Sequence, residues 1–353
     1  MYCQFNPEVL EFGVMHAPLS GFSYTTFDQK KVLSSLGKEK ALELLRQMFT
    51  IRQFEIMAEN IYLEGLVAGF FHSYIGQEAI QVGAVGAVGS DNGHWITTYR
   101  CHALALLTGC TPTAGFAELL GNQLGCAKGR GGSMHFVTDR MPLGQGIVGG
   151  HTALSTGFAF KSVYQGDDFV TYCFLGDGAS VQGAFYESIN LAALWSLPIV
   201  FVIENNVWGM GTHYNRAIAM DPIAPHLGGA FELENHILDG MNILDSYQLF
   251  KEVHEKVCKT KRPVIIEAKT QRFKGHSRSD TEYYRSQEDM EAIRHLDPIE
   301  GFKKQLVEAG FLLEEEIKGF EKQIKEELYK NLEEAKKGAP CDIGDIESGL
   351  ESN

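Results

Sequence analysis

Several things are scarce in this sequence, and each scarcity removes a class of answer. Its 353 residues hold seven cysteines, an odd number, scattered and without a C-x-x-C pair. This excludes a disulfide framework or a cysteine zinc site and predicts reduced thiols in a cytoplasm. Basic residues are not in excess: 31 Lys and Arg against 45 Asp and Glu leave a net charge of −14. Nucleic acid and an anionic membrane are therefore poor partners, although the same acidity also serves solubility. No apolar run reaches bilayer length; "AIQVGAVGAVG" is short and broken by glycine. The opening "MYCQFNPEVLEFG" lacks a basic segment followed by an apolar one, so no secretory signal is expected, and no transit peptide is evident. Internal repeats and low-complexity segments are missing too. What remains is 44% hydrophobic and 22% charged, a globular chain with material for one large domain or two ordinary ones.

Along the chain, residues 1–37 show no clear period and read as an extension. From Lys38, Leu42, Leu45, Met48, Phe49, Phe54 and Met57 recur at helical spacing, up to Gly65. A glycine-rich region from about 110 to 150 includes "GCAKGRGGSMHF", which reads as an irregular binding loop. The middle is clearest: "DFVTYCFL" is a strand, "VQGAFYESINLAALWSL" a helix stopped by Pro198, and "IVFVI" a second strand. This is a βαβ unit, so its strands are expected to be parallel with a right-handed crossover. A second unit follows in "HILDGM", "SYQLFKEVHEKVCK" and "PVIIEAK". The fold class is α/β, a mostly parallel central sheet flanked by helices. After Tyr284 the chain is charged and helical and ends in a polar tail, with no room for a second α/β domain.

"GQGIVG", Gly144–Gly149, matches the G-x-G-x-x-G fingerprint of nicotinamide dinucleotide sites. Its context argues against an NAD-dependent dehydrogenase. The preceding "FVTDRMPL" makes a poor strand, and the acid closing the next strand, Asp177, lies between glycines in "GDG". A ribose-binding acid has no need of that, whereas a cation-binding acid beside a phosphate does. Asp177 and Asn206 end consecutive strands, and ligands of open α/β sheets sit at the carboxyl ends of strands. A helix beginning near Ala179 would aim free N–H groups at the same place. One carboxylate and one amide oxygen suit Mg²⁺, which shares its remaining positions with phosphate and water. Either segment alone reads as an ordinary turn; together they favour a site.

"GDG", a helix and "NN" resemble the motif of thiamin diphosphate enzymes. More narrowly, "FFHSYIGQEA", "TTYRCHA", "GCAKGRGGSMH", "GQGIVG", the run from "FLGDGAS" to "ENNVWGMGT", and "RFKGHSRSD" resemble, in family order over roughly residues 40 to 300, the E1 α-subunit family of thiamin diphosphate-dependent 2-oxo acid dehydrogenases, that of pyruvate dehydrogenase above all. The resemblance implies a thiamin diphosphate-binding fold over residues 38–285, followed by a C-terminal helical segment and tail over 286–353. It implies Mg²⁺ on Asp177, Asn206 and the backbone oxygen of Trp208. Tyr99 and Arg100 would hold the diphosphate, with backbone N–H groups from Gly178 and Ala179. Gly146 and Val148 would meet the aminopyrimidine, with the Val148 side chain as a wedge. His72 and His276 would be the active-site histidines, and His276 also touches the cofactor. Its setting, "KTQRFKGHSRS", is basic within an acidic chain. Lys128, Arg130 and His135 receive no role. Ser277 resembles a phosphorylated serine of mitochondrial relatives, while their later phosphorylated position is Tyr284 here.

The implied activity is oxidative decarboxylation of pyruvate and reductive acetylation of the lipoyl group of the acyltransferase E2. No glutamate in a matching motif is found for the aminopyrimidine, so the chain is expected to be half of a site completed by a β subunit in an α2β2 heterotetramer. The expected partners are that β subunit, the lipoyl domain and core of E2, and pyruvate, with no nucleic acid and no membrane. The expected location is a bacterial cytoplasm, or the mitochondrial matrix if the source is eukaryotic. Acetoin dehydrogenase α is the alternative, and branched-chain 2-oxo acid dehydrogenase α fits less well around "KGRGGSMH".

Overall fold

The computed structural model describes residues 22–342 and Gly344. Residues 1–21 of the expected extension, and most of the polar tail, lie outside the described residues. The first helix starts earlier than its period suggested. Helix α1 (Gln29–Leu63) is capped by the Asp28 side chain, and it breaks at Gly37, where φ is 74 and ψ 165. The break resets the helical phase, so the two pieces share no single apolar stripe and only the longer shows its period. Val32 and Leu33 of the short piece are nevertheless buried.

The elements then run α2 (Glu78–Val88), β1 (Gly93–Thr98), α3 (His102–Leu107), α4 (Pro112–Leu119), β2 (Leu143–Gln145), α5 (Gly150–Gln165), β3 (Val170–Gly176), α6 (Gly183–Trp195) and β4 (Ile199–Asn205). A two-stranded hairpin, β5 (Trp208–Gly209) and β6 (Thr212–His213), precedes α7 (Ile223–Phe231), β7 (Glu234–Asp239), α8 (Ile243–Thr260) and β8 (Val264–Lys269). Helices α9 (Gln287–Arg294), α10 (Pro298–Glu308) and α11 (Glu314–Ala335) follow.

Six strands form one sheet in the order β2-β1-β3-β4-β8-β7, and every pairing is parallel. This is the α/β class the sequence implied. Strands β3 and β4 read as continuous apolar runs because helices cover both of their faces, and all seven residues of β4 are buried. On one face lies a core that joins Leu45, Met48 and Phe54 of α1 to Leu249, Phe250 and Val253 of α8. Phe302 and Leu306 of α10 and Leu328 and Leu332 of α11 enter that same core. On the other face, Phe185 and Ile189 of α6 and Leu227 of α7 pack under Phe201 and Ile203. Among the described residues the thiols of Cys101, Cys110, Cys126, Cys173, Cys258 and Cys341 are free.

Three local readings need correction. "FVTDRMPL" is a poor strand, but a short one starts at its last residue, at Leu143–Gln145, pairing with β1 as the sheet edge. Edge position and brevity let it tolerate the neighbouring Pro142. The helix expected near Ala179 begins at Gly183. Asp177–Val181 forms a 3₁₀ turn instead, closed by Ser180 Oγ donating to the Asp177 carbonyl at 2.7 Å, and extended Gln182 separates the two. Finally, the glycine-rich region contains α4, capped by the Thr111 side chain with Pro112 in its first turn. "GCAKGRGGSMHF" itself stays irregular, apart from a 3₁₀ turn at Gly132–Met134.

Helices α2 and α8 cross at their closest at Gly83. A Cβ built there would lie 2.5 Å from the Ser246 Cβ and 3.0 Å from the Tyr247 backbone nitrogen. Gly83→Ala should therefore force the helices apart and destabilise the protein by roughly 1–3 kcal/mol, the usual cost of overpacking. Denaturant unfolding with an unchanged midpoint would contradict this packing.

Candidate active site

The site follows from the sheet. Strand β2 lies outside β1 on one side, whereas β3, β4 and β8 continue on the other. The order reverses direction at β1 and β3, and a crevice opens there at the carboxyl ends of the strands. Five strands deliver residues to it. Tyr99 and Arg100 follow β1, Gly146–Val148 follow β2, Asp177–Ala179 follow β3, Asn206 and Trp208 follow β4, and Arg272 and His276 follow β8. The loop before α2 adds His72. Together they line one cavity of about 550 Å³, so every site residue expected from the sequence is brought to a single place. Ser277 also lines it. Lys128, Arg130 and His135 do not; His135 instead bonds the Gly144 carbonyl through Nδ1 at 2.9 Å, bracing the loop under the cavity.

The loops carrying the two histidines are tied together. Phe273 N–H donates to the Ile75 carbonyl at 3.1 Å and Arg278 N–H to the Phe71 carbonyl at 2.9 Å. Arg100 clamps the same pair: its guanidinium donates to the Ser73 carbonyl, and to the His276 carbonyl at 3.0 Å. The His72 and His276 rings therefore meet edge to face, 5.2 Å between centroids, and the Tyr99 ring lies 4.4 Å from His72. Asp280 accepts the His276 N–H at 2.7 Å and the Tyr284 hydroxyl at 2.5 Å. Tyr284 thus supports the loop that bears His276 and Ser277, and its ring lies 4.7 Å from that of Trp208.

A candidate cation position has an unusual donor set. Asp177 is buried, its carboxylate accepts the Asn206 backbone N–H, and its Oδ2 has no hydrogen-bond partner among the described residues. An orphaned buried carboxylate oxygen is costly unless something charged completes it. Burial pushes the Asp177 carboxyl up to about 6, and Arg272 opposes that rise. Asn206 is oriented by donating Nδ2–H to Gln77 Oε1 at 3.0 Å, which turns its oxygen toward the cavity. Asp177, the Asn206 amide oxygen and the Trp208 carbonyl make a hard, oxygen-only set that fits Mg²⁺. No cluster of three or more His, Cys, Asp or Glu exists among the described residues, so the fit rests on an amide and a backbone oxygen. Gly178 allows the β5 hairpin to approach: a Cβ there would already touch the Gly209 Cα at 3.4 Å.

The glycine-rich loop has its own anchor. Glu118 of α4, fully buried, accepts backbone N–H groups from Ala127, Gly129, Gly131 and Gly132 at 2.7–3.2 Å. Behind it, Glu55 bonds His102 Nδ1 at 3.1 Å, His102 Nε2 bonds Ser133 Oγ at 3.0 Å, and that oxygen accepts the His72 N–H at 3.4 Å. Glu118, Gln77, Asp280 and Arg272 were missed by reading the sequence. Gln77, Arg272 and Asp280 stand inside recognised motifs, so their position was a signal; Glu118 acts on backbone groups, which leave no trace in residue type.

A sequence profile described as "Dehydrogenase E1 component" matches residues 46–342. The chain belongs to the dehydrogenase E1 component family. Relatives include proteins named pyruvate dehydrogenase E1 component subunit alpha. The one from Rickettsia bellii is 39% identical over 298 residues, covering 84% of this chain and 91% of the relative. The one from Rhizobium meliloti is 37% identical over 317 residues, covering 89% and 90%. A mitochondrial type I form from Ascaris suum is 39% identical over 303 residues, covering 84% and 75%. The E1 family in general depends on thiamin diphosphate. The orphaned Asp177 oxygen and the glycine-lined carboxyl edge are features on which a diphosphate and its cation could rest.

Burial and the nearby Arg100 charge push the His72 imidazole down to about 2, and burial with Arg100 and Arg272 pushes His276 down to about 3. Both rings are thus neutral at pH 7. Because each folded value lies below the ordinary histidine range, the unfolded chain takes up protons first, and stability falls as pH drops below about 6.5. Carbon-13 NMR of labelled histidines should show neither ring titrating between pH 5 and 8. A midpoint near 6.5 for either would mean that the ring is not enclosed as described.

Proposed function

We propose that this chain is the α subunit of a pyruvate dehydrogenase E1 component, acting in the oxidative decarboxylation of pyruvate and the reductive acetylation of a lipoyl group. The observation that carries this reading is the Asp177 carboxylate, buried and with one oxygen orphaned between the ends of two parallel strands, in the same cavity as two enclosed histidines. The relatives' printed names support the substrate and the subunit role.

Thiamin diphosphate, when bound, supplies the electron sink for decarboxylation. The chain's own residues do the rest. Asp177, Asn206 Oδ1 and the Trp208 carbonyl hold Mg²⁺. Gly178 and Ala179 offer backbone N–H groups to the diphosphate, and Tyr99 and Arg100 close its wall. Gly146 and Val148, on the same cavity wall, would meet the aminopyrimidine. His72 and His276, neutral and in mutual contact, orient pyruvate and move protons at their ring nitrogens; the His72 Nδ1 is buried without a partner among the described residues. Phosphorylation of Ser277 on the cavity wall would add negative charge where an anionic substrate enters.

A partner subunit is the second element. Leu154, Phe160, Val163 and Tyr164 of α5 and Leu194 and Trp195 of α6 are exposed, and Phe160 and Trp195 touch with centroids 5.6 Å apart. Exposed apolar faces of this extent mark interfaces. Phe70, Ile147 and Met210, each more than 60% exposed, rim the cavity mouth, as a half-site awaiting its other wall would require. A β subunit in an α2β2 assembly covers both surfaces and supplies the acid for the aminopyrimidine.

Asp177→Ala should weaken thiamin diphosphate and Mg²⁺ together, by about a hundredfold or more in affinity, because this carboxylate would hold the ion that offsets the diphosphate charge. Tight cofactor binding retained by the mutant, followed by tryptophan fluorescence, would rule out the metal assignment.

The isolated chain should self-associate and show no decarboxylation. Co-expressed with the neighbouring β gene, it should form a tetramer that consumes pyruvate in preference to acetoin and 2-oxoisovalerate, measured with an artificial electron acceptor. A monomer that decarboxylates pyruvate unaided would overturn the shared-site reading.

A further inference from the structure

Arg272 is 1% exposed, among the largest fully buried side chains, and stands on the cavity wall. Its Nε–H donates to Asn206 Oδ1 at 3.2 Å, one terminal nitrogen to the Trp208 carbonyl at 3.4 Å, and the other to the Lys274 carbonyl at 3.1 Å. Two of these three acceptors are the neutral oxygens assigned above to the divalent cation. Among the described residues the groups bonded to Arg272 carry no full negative charge. The Asp177 and Asp280 carboxylates feel its charge but are not bonded to it, so a buried guanidinium whose hydrogen bonds all go to neutral oxygens gains when an anion enters beside it. A divalent ion placed on the same two oxygens would face that guanidinium at close range in a site shielded from water, where like charges repel strongly.

We propose that Arg272 is a built-in competitor of the metal ion. Its guanidinium holds the Asn206 and Trp208 oxygens until a diphosphate arrives, whose charge compensates both cations and gives Arg272 better acceptors. Arg272 thereby makes metal and diphosphate bind as a pair and keeps divalent ions from settling in the site alone. The inference rests on the metal assignment proposed above and adds to it an order of events. Arg272 is a positioning residue in this sense, and its removal should shift two affinities in opposite directions.

The test uses the cofactor-free α/β complex with Mn²⁺ as probe, the free ion being counted by electron paramagnetic resonance. The wild type should bind Mn²⁺ weakly alone and tightly with thiamin diphosphate. Arg272→Met removes the charge but keeps the apolar stem. It should bind Mn²⁺ alone about tenfold more tightly, or ~1.4 kcal/mol, while binding thiamin diphosphate more weakly in calorimetry. Arg272→Lys keeps the charge and should stay close to wild type for Mn²⁺ alone. A merely structural arginine would weaken both ligands together on replacement. That result, or an unchanged Mn²⁺ affinity in Arg272→Met, overturns the proposal while leaving the metal assignment standing. If wild type fails to take up Mn²⁺ even with thiamin diphosphate, the assignment falls and the proposal with it. Should Arg272→Met not assemble, Arg272→Gln gives the same comparison.

Discussion

The parallel pairing of β3 with β4 is the constraint on which the rest depends. Its register sets Leu175 opposite Ile203 and Gly176 opposite Glu204, so the chain leaves both strands at the same level. Asp177 and Asn206 are therefore neighbours by geometry, and the Asp177 carboxylate can take the Asn206 N–H. A shift of the register by one residue would swap the two buried faces of one strand against their helices and offset Asp177 from Asn206. The buried residues of β3 and β4, packed on both faces, make such a slip very costly.

Electrostatics in the cavity run against the charge of the whole molecule. The chain is net acidic, yet Arg100 and Arg272 line the site, and burial, then the Arg272 charge, lowers Arg100 and Arg285 to about 10. The same positive field, added to burial, keeps the histidines neutral. A region with this balance favours anions despite the acidic exterior. Glu204, buried and bonded to Tyr74 and Gln81, is pushed up by burial to about 7 and so is only partly ionised at neutral pH.

Backbone hydrogen bonding gives the irregular parts their shape. Glu118 converts a glycine-rich loop, which has little intrinsic preference, into a fixed wall by satisfying successive N–H groups with one carboxylate. Arg100 does the converse with carbonyls, joining the Ser73 and His276 segments. Each device uses a buried charge to fix backbone, and each leaves neighbouring side chains free to face the cavity.

Much of this was legible in the sequence, because local rules govern it. Continuous apolar runs in "VTYCFL" and "IVFVI" determined buried parallel strands, and "GDG" and "ENN" at their ends marked the edge where a ligand sits. Helical periodicity found the main part of α1 and most of α8, from Ser246 to Lys259, but not its first turn. The sequence could not place the start of α6, since a 3₁₀ turn and an extended Gln182 depend on hydroxyl and backbone bonds rather than on composition. It missed the edge strand at Leu143–Gln145, which owes its form to β1. The larger gap concerns what lies opposite what. Residues 71–75 and 272–278 are far apart in the chain, and their meeting is decided by the sheet order and by the Arg100 clamp. Motif order alone therefore pointed to His72 and His276 as a pair. Only the tertiary structure decided that their rings touch, that Arg272 holds the oxygens of Asn206 and Trp208, and that Asp177 keeps one oxygen without a partner, because each of these is a distance between segments that no local rule of the chain sets.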